Sequence, residues 1–253
     1  MLRYLLLLVT LALPVQADEQ VVLGLSHDKV SITANFDGSE ILIFGAVKRE
    51  TAIPKDSPLG VIVAIQGPSE PITVRRKEKR FGIWINTDAV EVDAAPSFYA
   101  VATSAPLDEI LSATEDLRYK ISIPQAIRSV GAPMTVSDPQ NFTEAVIRIR
   151  KSNDLYQHLD GAVELSEETL FRTSIAMPAN LTVGDYRTRI YLTRAGSVLS
   201  EYETVIDVRK VGLERWLFNL SRHQPLLYGL LSLAIAIIAG WGASAIFSRL
   251  RTN

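Results

Sequence analysis

The chain contains no cysteine in its 253 residues. That excludes disulfides, thiol catalysis, thiolate metal ligation and a lipoprotein-type anchor. Stability must therefore come from packing. Histidine is also scarce, with three residues, and they are scattered. His27 adjoins Asp28, but neighbours in a strand project to opposite faces. His158 follows Asp154 by one helical turn, the spacing of a surface pair. His223 lies beside the apolar C-terminal stretch, at headgroup level. No Gly-x-Ser-x-Gly and no glycine-rich phosphate loop occurs. Asp37-Gly38-Ser39-Glu40 lacks the alternating oxygen ligands of a calcium loop. Net charge is −2, and acidic residues outnumber basic ones over 18–212. That balance carries no nucleic-acid footprint. The expectation is a non-enzymatic protein with no catalytic residue, no cofactor and no metal.

What the chain does have is two apolar runs. Tyr4–Leu13 sits behind Arg3 and is followed by Pro14-Val15-Gln16-Ala17. A basic start, a short apolar core and small residues before a cut make residues 1–17 a secretory signal peptide, with cleavage after Ala17. Residues 225–247 are the second run, and Leu226–Phe247 carries no charge. At about 1.5 Å per residue a helix of that length reaches roughly 33 Å, enough for a bilayer core of about 30 Å. Pro225 suits the first helical position. Residues 248–253 form a cytoplasmic tail.

The flanking charges conflict. Arg249 and Arg251 favour a cytoplasmic C-terminus, whereas Arg209, Lys210, Arg215 and Arg222 crowd the other side. The export signal decides the matter, because a translocating chain stops at its next apolar helix. The expected location is a bacterial inner membrane, single-pass, with the N-terminal domain periplasmic.

Within the span Ser232, Ala236, Gly240 and Ser244 recur every fourth residue, widened by Gly229, Ala239 and Ala243. Small residues let helices approach closely in lipid. This stripe is expected to contact a membrane or periplasmic protein partner. Trp216 and Trp241 sit at interface positions. Between domain and span, residues 213–222 place Leu213, Trp216, Leu217 and Leu220 on one face, an amphipathic helix suited to a membrane surface.

The middle of the chain alternates short β-type runs with turn residues. Val21–Leu25, Lys29–Ala34, Glu40–Val47, Gly60–Gln66, Ser97–Ser104, Thr169–Met177, Tyr186–Thr193 and Val198–Val208 read as strands. Tyr119–Ile123 is a further candidate strand. Leu107–Leu117 reads as one or two helical turns and Gln140–Leu159 as a helix opened by Asp138-Pro139. Breakers between Pro124 and Pro139 suggest a boundary. The expected fold is mostly β: two immunoglobulin-like sandwich lobes, 18–124 and 125–212, the second with the helix 140–159 inserted.

One charge cluster stands out: Arg75, Arg76, Lys77, Lys79 and Arg80, interrupted by Glu78. It lies between Ile72–Arg76 and Arg80–Asn86, a hairpin, and is expected at the hairpin tip. A solvated turn that blocks edge pairing explains it. So does a basic finger meeting anionic headgroups or an acidic partner. A competing reading of the whole chain is a membrane-tethered enzyme or small-ligand binder with a site between the lobes, where Trp84, Tyr99, His27 and Asp28 would gather.

The stretches Ile32–Val47, Arg75–Asn86, Pro96–Ser104, Pro225–Leu230 and Gly240-Trp241 resemble a family of transmembrane proteins of alphaproteobacteria whose function is unknown. The resemblance covers nearly the whole chain. It implies a signal peptide, a periplasmic domain and one C-terminal span. It implies no activity and no site.

Overall fold

The computed structural model describes residues 19–26, 29–32, 38–49, 53, 57–129, 138–210 and 213–251. The expected signal peptide, His27 and Asp28 lie outside these residues. Among the described residues twelve strands dominate: β1 Gln20–Leu25, β2 Lys29–Ile32, β3 Ser39–Lys48, β4 Leu59–Gln66, β5 Ser69–Arg80, β6 Ile83–Pro96, β7 Tyr99–Thr103, β8 Tyr156–Leu159, β9 Glu164–Ser166, β10 Leu170–Met177, β11 Gly184–Arg194 and β12 Ser197–Lys210. The helices among the described residues are α1 Leu107–Ile110, α2 Ala113–Tyr119, α3 Ile123–Ala126, α4 Pro139–Ser152, α5 Leu213–His223 and α6 Pro225–Arg251.

The strands form three sheets, in the orders β1-β3-β10-β9, β2-β12-β11-β4-β7-β8 and β5-β6. Every pairing with a described register is antiparallel except β7 with β8. The two larger sheets show why their sequences read as strands. In β10 the burial alternates strictly, placing Phe171, Thr173, Ile175 and Met177 inward. In β3 Ile41, Ile43 and Val47 point in while Leu42 and Phe44 stay exposed. Such alternation marks sheets with one solvated face. β4 differs, being buried from Leu59 to Ile65. It lies between β11 and β7, and all of β7 is buried as well. Strands β10 and β7 touch, so residues of both sheets contribute to one core.

The two-lobe expectation is corrected by these pairings. Strand β3 pairs with β10, and β4 with β11. Strands from either side of residue 124 therefore share both large sheets. Local patterning identifies strands but not their distant partners, and the breakers between Pro124 and Pro139 mark no boundary, because both large sheets take strands from either side of them.

Two smaller corrections have local causes. Tyr119–Ile123 is not a strand. Lys120 adopts a left-handed conformation as the C-cap of α2. The Asp116 carboxylate then accepts from Ile121 N at 3.1 Å, Ser122 N at 2.7 Å and Ser122 Oγ at 2.7 Å, holding the chain in a turn. The expected helix 140–159 ends at Ser152. Asp154 is left-handed (φ 57°), and the chain leaves as β8, which pairs with β7. Tyr156 donates from its buried hydroxyl to Pro96 O at 2.8 Å.

By Cα proximity the chain forms two units, 1–30 with 37–208, and 31–36 with 209–253. In the second, Gln224 N donates to Leu220 O at 2.9 Å and Tyr228 N to Gln224 O at 3.1 Å. The hydrogen-bond ladder thus passes through the junction of α5 and α6, where Pro225 has no N–H to give.

Candidate interaction surface

The β5–β6 pair is a two-stranded ribbon with an unequal distribution of burial. Twelve residues at about 3.4 Å each give β5 a length near 40 Å. At its base, Val90 and Val92 are buried and Ile72 and Val74 half-buried. This base contacts α4, which contributes buried Phe142 and Val146. From residue 79 to residue 86 every side chain is exposed.

The register explains how an apolar strip crosses the ribbon. Lys77 pairs with Asn86, but Arg76 pairs with Asp88. Thr87 is therefore an extra residue, a bulge that changes which alternate positions share a face. Beyond it Ile83 and Ile85 lie opposite Arg80 and Glu78, while Trp84 lies opposite Lys79 on the other face. The alternation of the sequence predicts Phe81, Ile83 and Ile85 on one face and Trp84 on the other; the register keeps Ile83 and Ile85 together with Trp84 opposed, but Phe81 lies in the turn, outside the pairing.

The basic cluster is placed differently from expectation. Arg75 to Arg80 belong to strand β5 itself, and the connecting turn is Phe81-Gly82. Both turn residues have positive φ, 50° and 86°. The cluster is also divided in role. Arg76 donates to Asp138 at 2.6 Å, lies 3.7 Å from Asp88, and stacks its guanidinium 4.7 Å over the Phe142 ring. Hydrogen bonds from Arg76 and then from Asn141 hold the Asp138 carboxyl below its ordinary range, and the same contact with Asp138 raises Arg76. Arg76 is thus the rivet between ribbon and α4. A shallow hollow of about 450 Å³ opens beside it, lined by Arg75, Lys77, Glu144 and Arg148 among others. Arg80 reaches Glu78 on its own strand at 3.2 Å. Arg75, Lys77 and Lys79 have no carboxylate partner among the described residues.

Of the residues proposed for an inter-lobe site, the two that are described, Trp84 and Tyr99, are not brought together. Trp84 is exposed on the ribbon. Tyr99 is fully buried and donates to Ile121 O at 2.7 Å. His158 does not pair with Asp154. It sits on β8, with Nε2 3.0 Å from Asp160 Oδ2. Burial disfavours the Asp160 charge, but hydrogen bonds from Thr103, His158 and Leu107 N prevail and hold its pKa down. This pair borders a hollow of about 510 Å³ with Ser112 and Asp116. Ser112 is engaged as the N-cap of α2 and Asp116 by the following turn. Their polar atoms are occupied by holding the backbone. Among the described residues no three His, Asp or Glu side chains gather as a metal site.

One polar cluster escaped sequence reasoning. The Glu19 carboxylate, 4 % exposed, meets Arg49 at 2.7 Å and Arg194 at 3.0 Å. Arg49 also donates to Glu168 O, and Arg194 reaches the Glu168 carboxylate at 3.4 Å. The partners are separated by up to 175 positions, so no local pattern announces them.

The second surface is α6. Its window Pro225–Ser244 is long and apolar enough to cross a membrane, and none of it is buried. Leu226, Leu230, Leu233, Ile235, Ile237, Ile238 and Trp241 are all more than half exposed. A Cβ added at Gly229, Gly240 or Gly242 would meet nothing within 4 Å. Ser232 satisfies its hydroxyl on Tyr228 O at 2.9 Å, so it too leaves the stripe open.

A family model described as "Putative transmembrane protein (Alph_Pro_TM)" matches residues 20–249. The chain belongs to the Alph_Pro_TM family. The match embraces both surfaces, the ribbon and the candidate span, as the resemblance of the quoted stretches implied. No curated protein matches the chain. The Alph_Pro_TM chain is thus a transmembrane-family protein of unknown function with a β-domain and one C-terminal candidate span.

Proposed function

We propose that this protein is a single-pass inner-membrane protein whose periplasmic β-domain is a non-enzymatic accessory module of an envelope or transport complex. The observation that carries the reading is the contrast between the two units. Apart from the ribbon end and single surface positions such as Leu42 and Phe44, the β-domain packs its apolar side chains into a core, whereas no part of the α6 window is buried. Water is a poor solvent for such a helix and lipid a good one. In lipid the apolar side chains need no further cover, and the selective feature left is the Ser232, Ala236, Gly240 and Ser244 stripe, where a second helix can approach closely. The amphipathic helix α5 would lie at the membrane surface. Residues 1–17 would direct export and be removed.

The test is crosslinking of the intact chain in native membranes. A crosslinked partner is expected, and Ala236→Leu with Gly240→Leu should reduce its yield at least severalfold. Recovery of monomer alone, with both substitutions neutral, contradicts the reading.

A further inference from the structure

We propose that residues 79–86, closing the β5–β6 ribbon, form an amphiphilic finger that enters the headgroup region of an anionic lipid bilayer. The first observation is Phe81. A two-residue hairpin turn with two positive φ angles favours Asn, Asp or Gly at its first position, and a bulky aromatic there is strained. Phe81 sits there with φ 50° and full exposure, 105 %. Its ring gains nothing from the rest of the chain to offset that strain. Strained backbone positions cluster at sites that contact ligands or partners.

The second observation is geometry. Trp84 is 67 % exposed on one face of the ribbon and Ile83 65 % on the other, with Phe81 at the end between them. A protein partner engaging one face would leave the opposite apolar residues in water. A bilayer surrounds all of them. Three residues back from the turn span about 10 Å, which matches the roughly 5–10 Å depth at which interfacial amphiphiles bury their apolar side.

The third observation is charge. Level with the apolar residues, Lys79 stands opposite Trp84 and Arg80 opposite Ile83, with Lys77 and Arg75 further back. Basic residues ringing an apolar end, with aromatic side chains at the boundary, suit phosphate-bearing anionic headgroups. The rivet of Arg76 to Asp138 and Phe142 fixes the base, so the finger is presented preformed.

This inference rests on the tethered-module reading only in supposing that a membrane is within reach. The full chain, held in phosphatidylcholine nanodiscs, is mixed with separate vesicles of phosphatidylcholine alone or with phosphatidylglycerol, and the vesicles are floated. Co-flotation is expected with the anionic vesicles and at least about tenfold less with the neutral ones. Lys79→Gln and Arg80→Gln should each weaken it about fivefold. Phe81→Asn is the discriminating variant, because asparagine suits the turn. It should keep or raise the melting temperature of the domain while reducing flotation severalfold. With Trp216→Phe and Trp241→Phe, the remaining Trp84 emission should shift to the blue on anionic vesicles. Unchanged flotation of Phe81→Asn overturns the proposal. So does absence of flotation with unmoved Trp84 emission, which would leave an acidic protein surface as the partner. Because the crosslinking test reads α6 and this one reads the ribbon, either can fail without the other.

Discussion

At the residue scale, charge burial is concentrated in Glu19, Arg49 and Arg194. Removing one member of such a group leaves the others buried and unpaired, at a cost of about 3–5 kcal/mol. Glu19→Ala removes the closest carboxylate from two guanidiniums at once, both no more than 10 % exposed, leaving Arg194 only the Glu168 carboxylate at 3.4 Å and Arg49 only neutral oxygens. Denaturant titration of the intact chain in detergent should show a loss of that order, and a loss below about 1 kcal/mol would mean the network is solvated.

Tyrosines set the alkaline limit. Burial pushes Tyr99 and Tyr156 each up to about 12 from an ordinary value of 10.0, and raises Tyr191 as well. A raised value means the folded state holds its proton more tightly than the unfolded state. Their contribution is therefore complete below pH 10 and is lost as pH rises through about 12. Denaturation midpoints of the domain should fall across that window, and Tyr99→Phe should flatten the decline. A midpoint indifferent to pH there would contradict the burial.

At the scale of elements, close approach is critical where β1, β3 and β10 pack. A Cβ on Gly45 would lie 2.6 Å from the Phe171 ring and 2.7 Å from Val22 O. The ring can shift; the carbonyl belongs to a paired strand. Gly45→Ala should destabilise the domain by roughly 1–3 kcal/mol, whereas Gly82→Ala meets open space and is strained only by its φ of 86°. Thermal unfolding of the two variants separates steric from conformational cost, and equal losses would contradict the packing at Gly45.

Elements were legible in sequence where period and punctuation agreed. The β11–β12 hairpin shows it: Tyr186, Thr188, Ile190 and Leu192 alternate, and Ala195-Gly196 supplies the turn. The ribbon was legible in part. Its apolar positions shift from odd (Ile83, Ile85) to even (Val90, Val92), a break that only a bulge reconciles. The basic cluster drew the turn away from Phe81-Gly82, because charge suggested solvent where glycine marked the reversal. The end of α4 was hidden for another reason. Nothing in Asn153-Asp154 is as emphatic as Asp160-Gly161, yet the left-handed Asp154 is where the helix stops.

At the scale of the whole molecule, lipid and water divide the chain. The span was legible from composition alone, since an uncharged run of that length has few other uses. The sheet order was not, because β3 with β10 and β4 with β11 are pairings across more than a hundred residues. Alkaline carbonate offers a prediction that separates the two solvents. It should weaken the β-domain through its tyrosines while leaving the chain in the membrane pellet, and release into the supernatant would contradict a spanning α6.

The most direct measurement is protease treatment of intact bacterial spheroplasts expressing the chain with a C-terminal epitope tag. If α6 crosses the inner membrane with the β-domain outside, the domain is digested and a short tagged fragment containing α6 remains in the membrane. Survival of the full-length tagged chain, with digestion only after the spheroplasts are lysed, would contradict the account.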